Sequence, residues 1–132
     1  MKLEGGCFCG AIKFKTNSVA RQVTHCHCLH CRCLSGAPFL TYAEFKFTDF
    51  TFTTGAPAQV NTRPEVTRQF CPHCGTQLTY LDSEYPHLIH VTIGSFDQPE
   101  RLIPQDHIWC DRMLPWLQMN DGLPRYARQR GF

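Results

Sequence analysis

Cysteine is the residue type in this sequence best suited to chemistry, with nine copies in a chain of 132 residues. Seven of the nine stand in three tight groups: Cys7 and Cys9, then Cys26, Cys28 and Cys31, then Cys71 and Cys74. Thiols this close in sequence pair poorly as disulfides, but together they can chelate one ion. The odd count and the lack of an apolar leader also favour metal over a disulfide framework. Zinc is the metal that such spacing indicates.

The seven grouped cysteines divide into four plus three. A structural zinc usually takes four protein ligands, and two C-x-C or C-x-x-C claws supply that number. A glycine follows each claw and would relieve the backbone where a tight turn needs positive φ. We therefore predict a closed structural site, which would tie the N-terminal strand to a central hairpin, from Cys7, Cys9, Cys71 and Cys74.

The remaining group predicts a second site, in which the metal ligands and the catalytic centre are the same residues: Cys26, Cys28 and Cys31. Three protein ligands leave a fourth position open, which is the pattern of catalytic zinc. Two alternatives stay open at this point. A nearby histidine could close the site as Cys₃His, the candidates being His25, His27, His30 and His73. Cys33 could also replace Cys31 as a ligand.

A redox function is a further alternative, since Cys28 and Cys31 have the C-x-x-C spacing of redox pairs. The sequence suggests no helix N-terminus there to lower a thiol pKa, so we rank this reading last. Outside the three groups, Cys110 is predicted to be a buried apolar residue and His90 and His107 core residues. Three arginines in the tail are predicted to be solvated: Arg125, Arg128 and Arg130.

The elements that must position these residues read mainly as strands. Residues 11–15 alternate apolar and polar side chains, and residues 19–25 could pair with them across a turn. Residues 66–70 and 77–81 flank the second claw as a hairpin would. Further strand-like stretches lie at 38–42, 45–53 and 87–93. Helical signals are scarce, so we predict a single domain over residues 1–132 that is mainly β.

Charge and hydropathy exclude several classes of protein. A formal net charge of +2 gives no support to nucleic-acid binding, and no apolar run is long enough to span a membrane. Clustered thiols without a leader predict a cytoplasmic protein. No feature of the sequence predicts an oligomeric state.

Five segments together resemble the glutathione-dependent formaldehyde-activating enzyme (GFA) family, which includes the domain of centromere protein V. They are residues 6–10, 26–32, 35–39 and 70–76, together with a tail holding Pro115-Trp116 and residues 121–124. The resemblance implies a zinc-bound β-tent fold of antiparallel sheets. It assigns a structural zinc to the four-cysteine set and a second, more labile zinc to Cys26, Cys28 and Cys31. Cys33 departs from the commoner family pattern.

The resemblance also implies an activity, the condensation of formaldehyde with glutathione to S-hydroxymethylglutathione, which is carbon–sulfur lyase chemistry. The expected partner is thus a small thiol such as glutathione, bound as the fourth ligand of the open site. Arg32 could receive the glutathione carboxylates, or it could compensate the charge of the thiolates. The alternative function is a zinc-stabilised binding or scaffold module without catalysis.

Overall fold

The computed structural model describes residues 2–130, so Met1, Gly131 and Phe132 of the expected domain lie outside it. Within this range the mainly β architecture is confirmed. The first five strands are β1 (Leu3–Gly6), β2 (Lys13–Thr16), β3 (Gln22–Cys26), β4 (Leu40–Lys46) and β5 (Phe50–Thr54). The next five are β6 (Ala58–Arg63), β7 (Val66–Phe70), β8 (Gln77–Asp82), β9 (Leu88–Thr92) and β10 (Asp106–Ile108). One α-helix, α1 (Leu29–Ser35), lies between β3 and β4. No helix in this part of the chain is long and apolar enough to cross a membrane.

The strands form two sheets, one of three strands in the order β1-β2-β5 and one of seven in the order β10-β3-β4-β9-β8-β7-β6. All pairs are antiparallel except β10 with β3. Apolar residues from both sheets share one buried cluster, in which Phe14 of β2 meets Phe96 with ring centroids 5.0 Å apart. The core therefore lies between the two sheets, as in other layered β folds.

The predicted hairpin between residues 11–15 and 19–25 is wrong. β2 pairs with β1 and β5 in the small sheet, whereas β3 pairs with β4 and β10 in the large sheet. The turn between them is bound elsewhere, because the Asn17 amide donates to the Asp49 carbonyl and the Arg21 amide to the Glu44 carbonyl. The chain does bend at residues 17–18, but it then passes from the three-stranded sheet to the seven-stranded sheet instead of pairing with β2.

The stretch from 45 to 53 was predicted as one strand, and the structure divides it in two. A 3₁₀ turn at Phe47–Asp49 separates β4 in the large sheet from β5 in the small sheet. By contrast, the hairpin around the second claw is confirmed, with Val66–Phe70 paired antiparallel to Gln77–Asp82. Prediction and structure agree at this hairpin because the C-x-x-C turn and the pairing of its two flanking strands both depend on residues close in sequence.

Alternation along β4 gives the large sheet two different faces. Ala43 and Phe45 belong to the core between the sheets, whereas Leu40 and Tyr42 belong to a second cluster that contains Cys26 and Cys31. Because successive strand residues point to opposite faces, a single strand supports both the core and a site on the far side.

Helix α1 was not predicted from the sequence. Cys28 is its N-cap, and Gly36 ends it in the left-handed region with φ 69° while donating its amide to the Arg32 carbonyl. Only Cys31 is buried among the seven helical residues. So short a helix with one buried side chain has no amphipathic period for the sequence to reveal.

Gly55 should be irreplaceable, since its φ of 73° is in the left-handed region and a Cβ there would collide with the Ala11 carbonyl oxygen. We expect Gly55→Ala to lower the free energy of unfolding by more than about 2 kcal/mol, adding a steric cost to the left-handed backbone cost. Urea unfolding at fixed zinc concentration measures this. Gly122→Ala is the matched control, because φ is 71° with no atom within 4 Å, and it should cost about 1 kcal/mol. Equal losses in the two variants would contradict the packing argument.

Candidate metal centres

The first candidate centre lies where the two sheets meet at their ends. Cys7 and Cys9 follow β1, and Cys71 and Cys74 lie in the loop between β7 and β8. The structure brings all four sulfur atoms within 4.8 Å of one another. The small sheet and the large sheet thus each contribute two thiols, which are the four that the sequence assigns to the closed site.

Distances between these sulfur atoms match a tetrahedral metal site and not a disulfide. The Cys7 and Cys9 Sγ atoms are 3.6 Å apart, and those of Cys9 and Cys71 are 3.7 Å apart. Four thiolates around zinc at about 2.3 Å would stand about 3.8 Å apart, whereas a disulfide needs about 2.05 Å. All nine cysteines are unpaired. The donor set and its spacing therefore fit a zinc ion.

The backbone of each claw is shaped for thiolates. Gly10 and Gly75 have φ of 80° and 78°, the left-handed conformation expected after a tight knuckle. The Ile12 amide donates to Cys7 Sγ at 3.2 Å, and the Cys74 amide donates to Cys71 Sγ at 3.4 Å. At Cys74, hydrogen bonds from the hydroxyl and then the amide of Thr76 lower the thiol pKa to about 5. Such donors favour the deprotonated form that a metal needs.

The second candidate centre combines Cys26, Cys28 and Cys31, whose sulfur atoms also lie within 4.8 Å of one another. Cys26 ends β3, Cys28 caps α1, and Cys31 occupies the first turn of the helix. Cys31 Sγ is 3.5 Å from Cys26 Sγ, and the Cys31 amide donates to Cys28 Sγ at 3.3 Å. The turn into the helix thereby brings the third thiol round to the other two.

None of the histidines proposed as a fourth ligand joins this cluster in the described residues. His25 hydrogen-bonds Thr41 and His27 hydrogen-bonds His107, so both rings are engaged elsewhere. Cys33 is exposed and outside the cluster, whereas Cys31 is 3% exposed. The geometry thus favours Cys31 over Cys33 and an open site over a Cys₃His site.

The pKa values of the three thiols in this second cluster indicate that a cation would stabilise their deprotonated forms. Close contacts from Cys26 and Cys31 lower the pKa of Cys28, and contacts with Cys28 and Cys31 together with burial raise the pKa of Cys26. For Cys31, the hydrogen bond with Cys26 acts to lower the pKa, but Cys28 and burial raise it overall. One thiolate therefore suppresses ionisation of its neighbours, and a divalent ion would remove this repulsion.

A buried guanidinium, Arg68, completes the charge pattern of this site. Arg68 lies on β7 and is 3% exposed. Its Nη2 is 3.7 Å from Cys31 Sγ, its Nη1 donates to the Tyr42 hydroxyl at 2.8 Å, and its carbon Cζ lies 4.9 Å from the centre of the Tyr80 ring. Burial works against the charged form, but Tyr42 and Cys31 raise the Arg68 pKa above its ordinary value. A buried cation needs an anionic partner, and Cys28, the thiol of the cluster whose pKa is lowered, can supply it.

Residues 2–112 match the model of the family described as glutathione-dependent formaldehyde-activating enzyme. The chain belongs to this family. A Halomonas elongata protein, provisionally named as an enzyme of the same kind, is 26% identical over 132 residues, covering 90% of this chain and 82% of its own. A solved structure of a Rhodobacter sphaeroides protein superimposes with a TM-score of 0.60 at 17% identity, covering 92% of this chain and 98% of its own. That likeness supports the fold alone.

Two predictions about groups near the second site of this GFA family member need correction. Cys28 is a helix N-cap, so the argument that no helix stands at the C-x-x-C was wrong. Charge compensation, considered for Arg32, falls to Arg68 instead, because the Arg32 guanidinium donates to the Arg112 carbonyl at 3.3 Å, whereas Arg68 Nη2 lies 3.7 Å from Cys31 Sγ. An arginine between Val66 and Phe70 on one face of a strand was the available signal for Arg68.

Predictions about the more distant residues have mixed outcomes. His107 is fully buried and hydrogen-bonded, as expected of a core residue, and His90 is partly exposed and donates from Nε2 to the Glu44 carboxylate at 2.9 Å. Cys110 is only partly buried. Arg130 is not solvated, since it pairs with the buried Asp106 carboxylate at 2.6 Å. The tail is held on β10 by this ion pair and by backbone hydrogen bonds.

Replacing Cys31 by serine should remove one bound zinc per chain, because two thiolates cannot hold the ion that three would. Metal analysis of protein dialysed against a mild chelator measures the stoichiometry. Cys33→Ser is the matched control on the same helix and should retain the wild-type zinc content, since its thiol is exposed and outside the cluster. Equal zinc content in the wild type and in Cys31→Ser would refute the assignment.

Proposed function

We propose that this chain is a zinc-dependent enzyme of the carbon–sulfur lyase type, which joins glutathione or a similar small thiol to formaldehyde to form S-hydroxymethylglutathione. The observation that carries the proposal is a cluster of three thiols without a fourth protein ligand in the described residues, beside a buried guanidinium. Family membership and the name of the Halomonas relative support the substrate pair. We further propose that residues 1–132 act as a single domain, and the unpaired cysteines favour a reducing, cytoplasmic setting.

In this proposal the four-cysteine set holds a structural zinc, and Cys26, Cys28 and Cys31 hold a second, more labile one. When bound, this second zinc would supply an open position that favours the thiolate form of a substrate thiol at neutral pH. The remaining work falls to the protein. Cys28 is partly exposed, whereas Cys26 and Cys31 are buried, so a substrate thiol approaches from the side of Cys28.

The proposed reaction forms one bond between the glutathione sulfur and the formaldehyde carbon. The π electron pair of the carbonyl moves to oxygen, which becomes an alkoxide and then takes a proton. Arg68 lies where it can offset the negative charge that a fourth sulfur would add to three thiolates. Burial raises the pKa of Tyr42 well above its usual range, so its hydroxyl keeps its proton. The Tyr42 oxygen accepts from the Arg68 guanidinium and from the Cys31 thiol, and so holds both groups in place.

Glutathione also carries two carboxylates, and an exposed cation near the mouth of the site is needed to receive one of them. Arg32 lies on α1 one turn beyond Cys28 and is partly exposed. We propose that Arg32 serves this binding role. In this proposal the buried Arg68 faces the sulfur atoms, and the partly exposed Arg32 faces a substrate carboxylate.

Enzymatic formation of S-hydroxymethylglutathione distinguishes the enzyme from the scaffold alternative. Exchange spectroscopy with ¹³C-formaldehyde and glutathione should show acceleration over the spontaneous reaction by the wild type and by Cys33→Ser, but none by Cys31→Ser. The reason is that only the last variant lacks a thiol of the cluster. If the zinc-loaded wild type gives no acceleration, and added glutathione does not protect the second zinc from a chelator, both zinc ions are structural and the scaffold function stands.

Removing the buried charge should weaken thiol binding more than it weakens the fold. In Arg68→Met we expect the dissociation constant for glutathione to rise about 10- to 100-fold, the equivalent of losing a charge-assisted hydrogen bond of about 1.5–3 kcal/mol. Calorimetric titration of zinc-loaded protein measures it. Arg63→Met, on the exposed strand β6, is the control and should leave binding unchanged. Circular dichroism and zinc content must match the wild type, and unchanged glutathione affinity in a folded Arg68→Met would contradict the assigned role.

A further inference from the structure

A third cluster of metal-ligating side chains lies apart from the cysteine sites and plays no part in the proposed reaction. His25, His107 and Asp121 place one donor atom each within 4.8 Å of one another. His25 comes from β3, His107 from β10 and Asp121 from the C-terminal tail. We propose that these residues form a third metal site, for a divalent transition cation such as Zn²⁺, Fe²⁺ or Co²⁺, with open positions on the solvent side.

Sheet geometry brings the two imidazoles together. β3 and β10 form the parallel pair of the large sheet, and His25 stands directly opposite His107 in the register. Facing residues in a ladder project to the same side, and the two ring centroids are 4.8 Å apart. Cys26, one residue further along β3, projects to the other side into the cluster with Tyr42. The proposed site and the three-thiol site therefore use opposite faces of the same strand.

The carboxylate is also held in place. Asp121 Oδ1 accepts from the Leu123 amide at 3.1 Å, while Oδ2 lies 2.7 Å from His107 Nε2. Donors at right angles on an octahedral ion at about 2.0–2.1 Å would stand about 2.9 Å apart, and donors on a tetrahedral ion about 3.3 Å apart, so the 2.7 Å pair must open slightly to take up an ion. The Asp121 side chain is 29% exposed, which leaves a route for an ion from solvent.

Each imidazole is oriented through its other nitrogen, as metal-ligating histidines usually are. His25 Nδ1 is 2.6 Å from the Thr41 hydroxyl, which leaves Nε2 as the ligating atom. His107 Nδ1 is 2.9 Å from His27 Nε2, which leaves its own Nε2. Two imidazoles and one carboxylate form a donor set that suits first-row transition ions and not Ca²⁺ or Mg²⁺.

Metal binding would leave a signature in the tautomers. Without metal, the hydrogen bonds are satisfied when His107 Nε2–H donates to Asp121 and His27 Nε2–H donates to His107 Nδ1. A metal on His107 Nε2 requires the proton on Nδ1, which then donates to His27 Nε2. His27 in turn must carry its proton on Nδ1, which is buried and lacks a hydrogen-bond partner. Both rings change tautomer, and the number of ring protons is unchanged.

The test uses protein whose two cysteine sites are already filled with zinc, titrated with Co²⁺ and followed by visible absorption. We expect one further equivalent to bind with d–d bands and without thiolate charge-transfer absorption, because the donors are nitrogen and oxygen. Asp121→Ala should weaken this step at least 10-fold. Thr41→Val, which removes only the hydroxyl that orients His25, should weaken it about 10- to 100-fold, the usual effect of losing an outer-shell partner. Asp111→Ala is the control, because that aspartate lies outside the cluster beside Arg128.

A second readout separates this site from ions on surface histidines. Zinc beyond two equivalents should move the imidazole ¹⁵N resonances of His107 and His27 from the Nε2–H to the Nδ1–H pattern. Failure of any further ion to bind would overturn the proposal. So would Co²⁺ binding that is equal in the wild type, Asp121→Ala and Thr41→Val and leaves both tautomers unchanged. None of these results depends on formaldehyde or glutathione, so the proposal stands or falls separately from the proposed enzyme function.

Discussion

The rest of the structure depends on the meeting of four thiols between two sheets. The three-stranded sheet supplies Cys7 and Cys9, and the seven-stranded sheet supplies Cys71 and Cys74. Cys7 and Cys71 are also members of the core between the sheets, so a metal held by the four thiols would reinforce the apolar packing. A structural zinc can contribute on the order of ten kcal/mol to folding in small domains, as much as the whole net stability of many single domains. The Phe8 amide, bonded to the Thr76 hydroxyl at 3.0 Å, adds a direct link across the same junction.

The face of the large sheet that points away from the core holds the second cluster, which contains Cys26, Cys31 and Tyr42. There the dominant constraint is electrostatic. Three neighbouring thiols cannot all ionise without cations, and the buried Arg68 supplies only one positive charge. A divalent ion would supply the other two, which balances three thiolates. The same charge arithmetic makes the cluster a candidate metal site.

Strand β3 connects this chemistry to the opposite face of the sheet. Cys26 points toward Tyr42 and the thiol cluster, and His25 points toward Thr41 and His107. Two sets of ligating residues can be adjacent in sequence and still be separate in space, because the side-chain period of a strand is two. The alternating cysteines and histidines of residues 25–28 therefore contribute to two candidate sites on two faces of the sheet.

The sequence by itself determined the local features: the C-x-C and C-x-x-C claws, the glycines that follow them, and the hairpin from Val66 to Asp82 that carries the second claw. These follow from the stereochemistry of a few consecutive residues, and the ordered motifs also identified the family. Tertiary structure alone decided what depends on pairing at long range. β2 joined β1 and β5 instead of β3, a seven-residue helix formed around Cys31, and Arg68 and Asp121 came from distant segments to the candidate sites beside them. The physical reason is that the packing of the whole chain selects which charge is buried and which strands pair. The residues next to them in sequence carry little information about that packing.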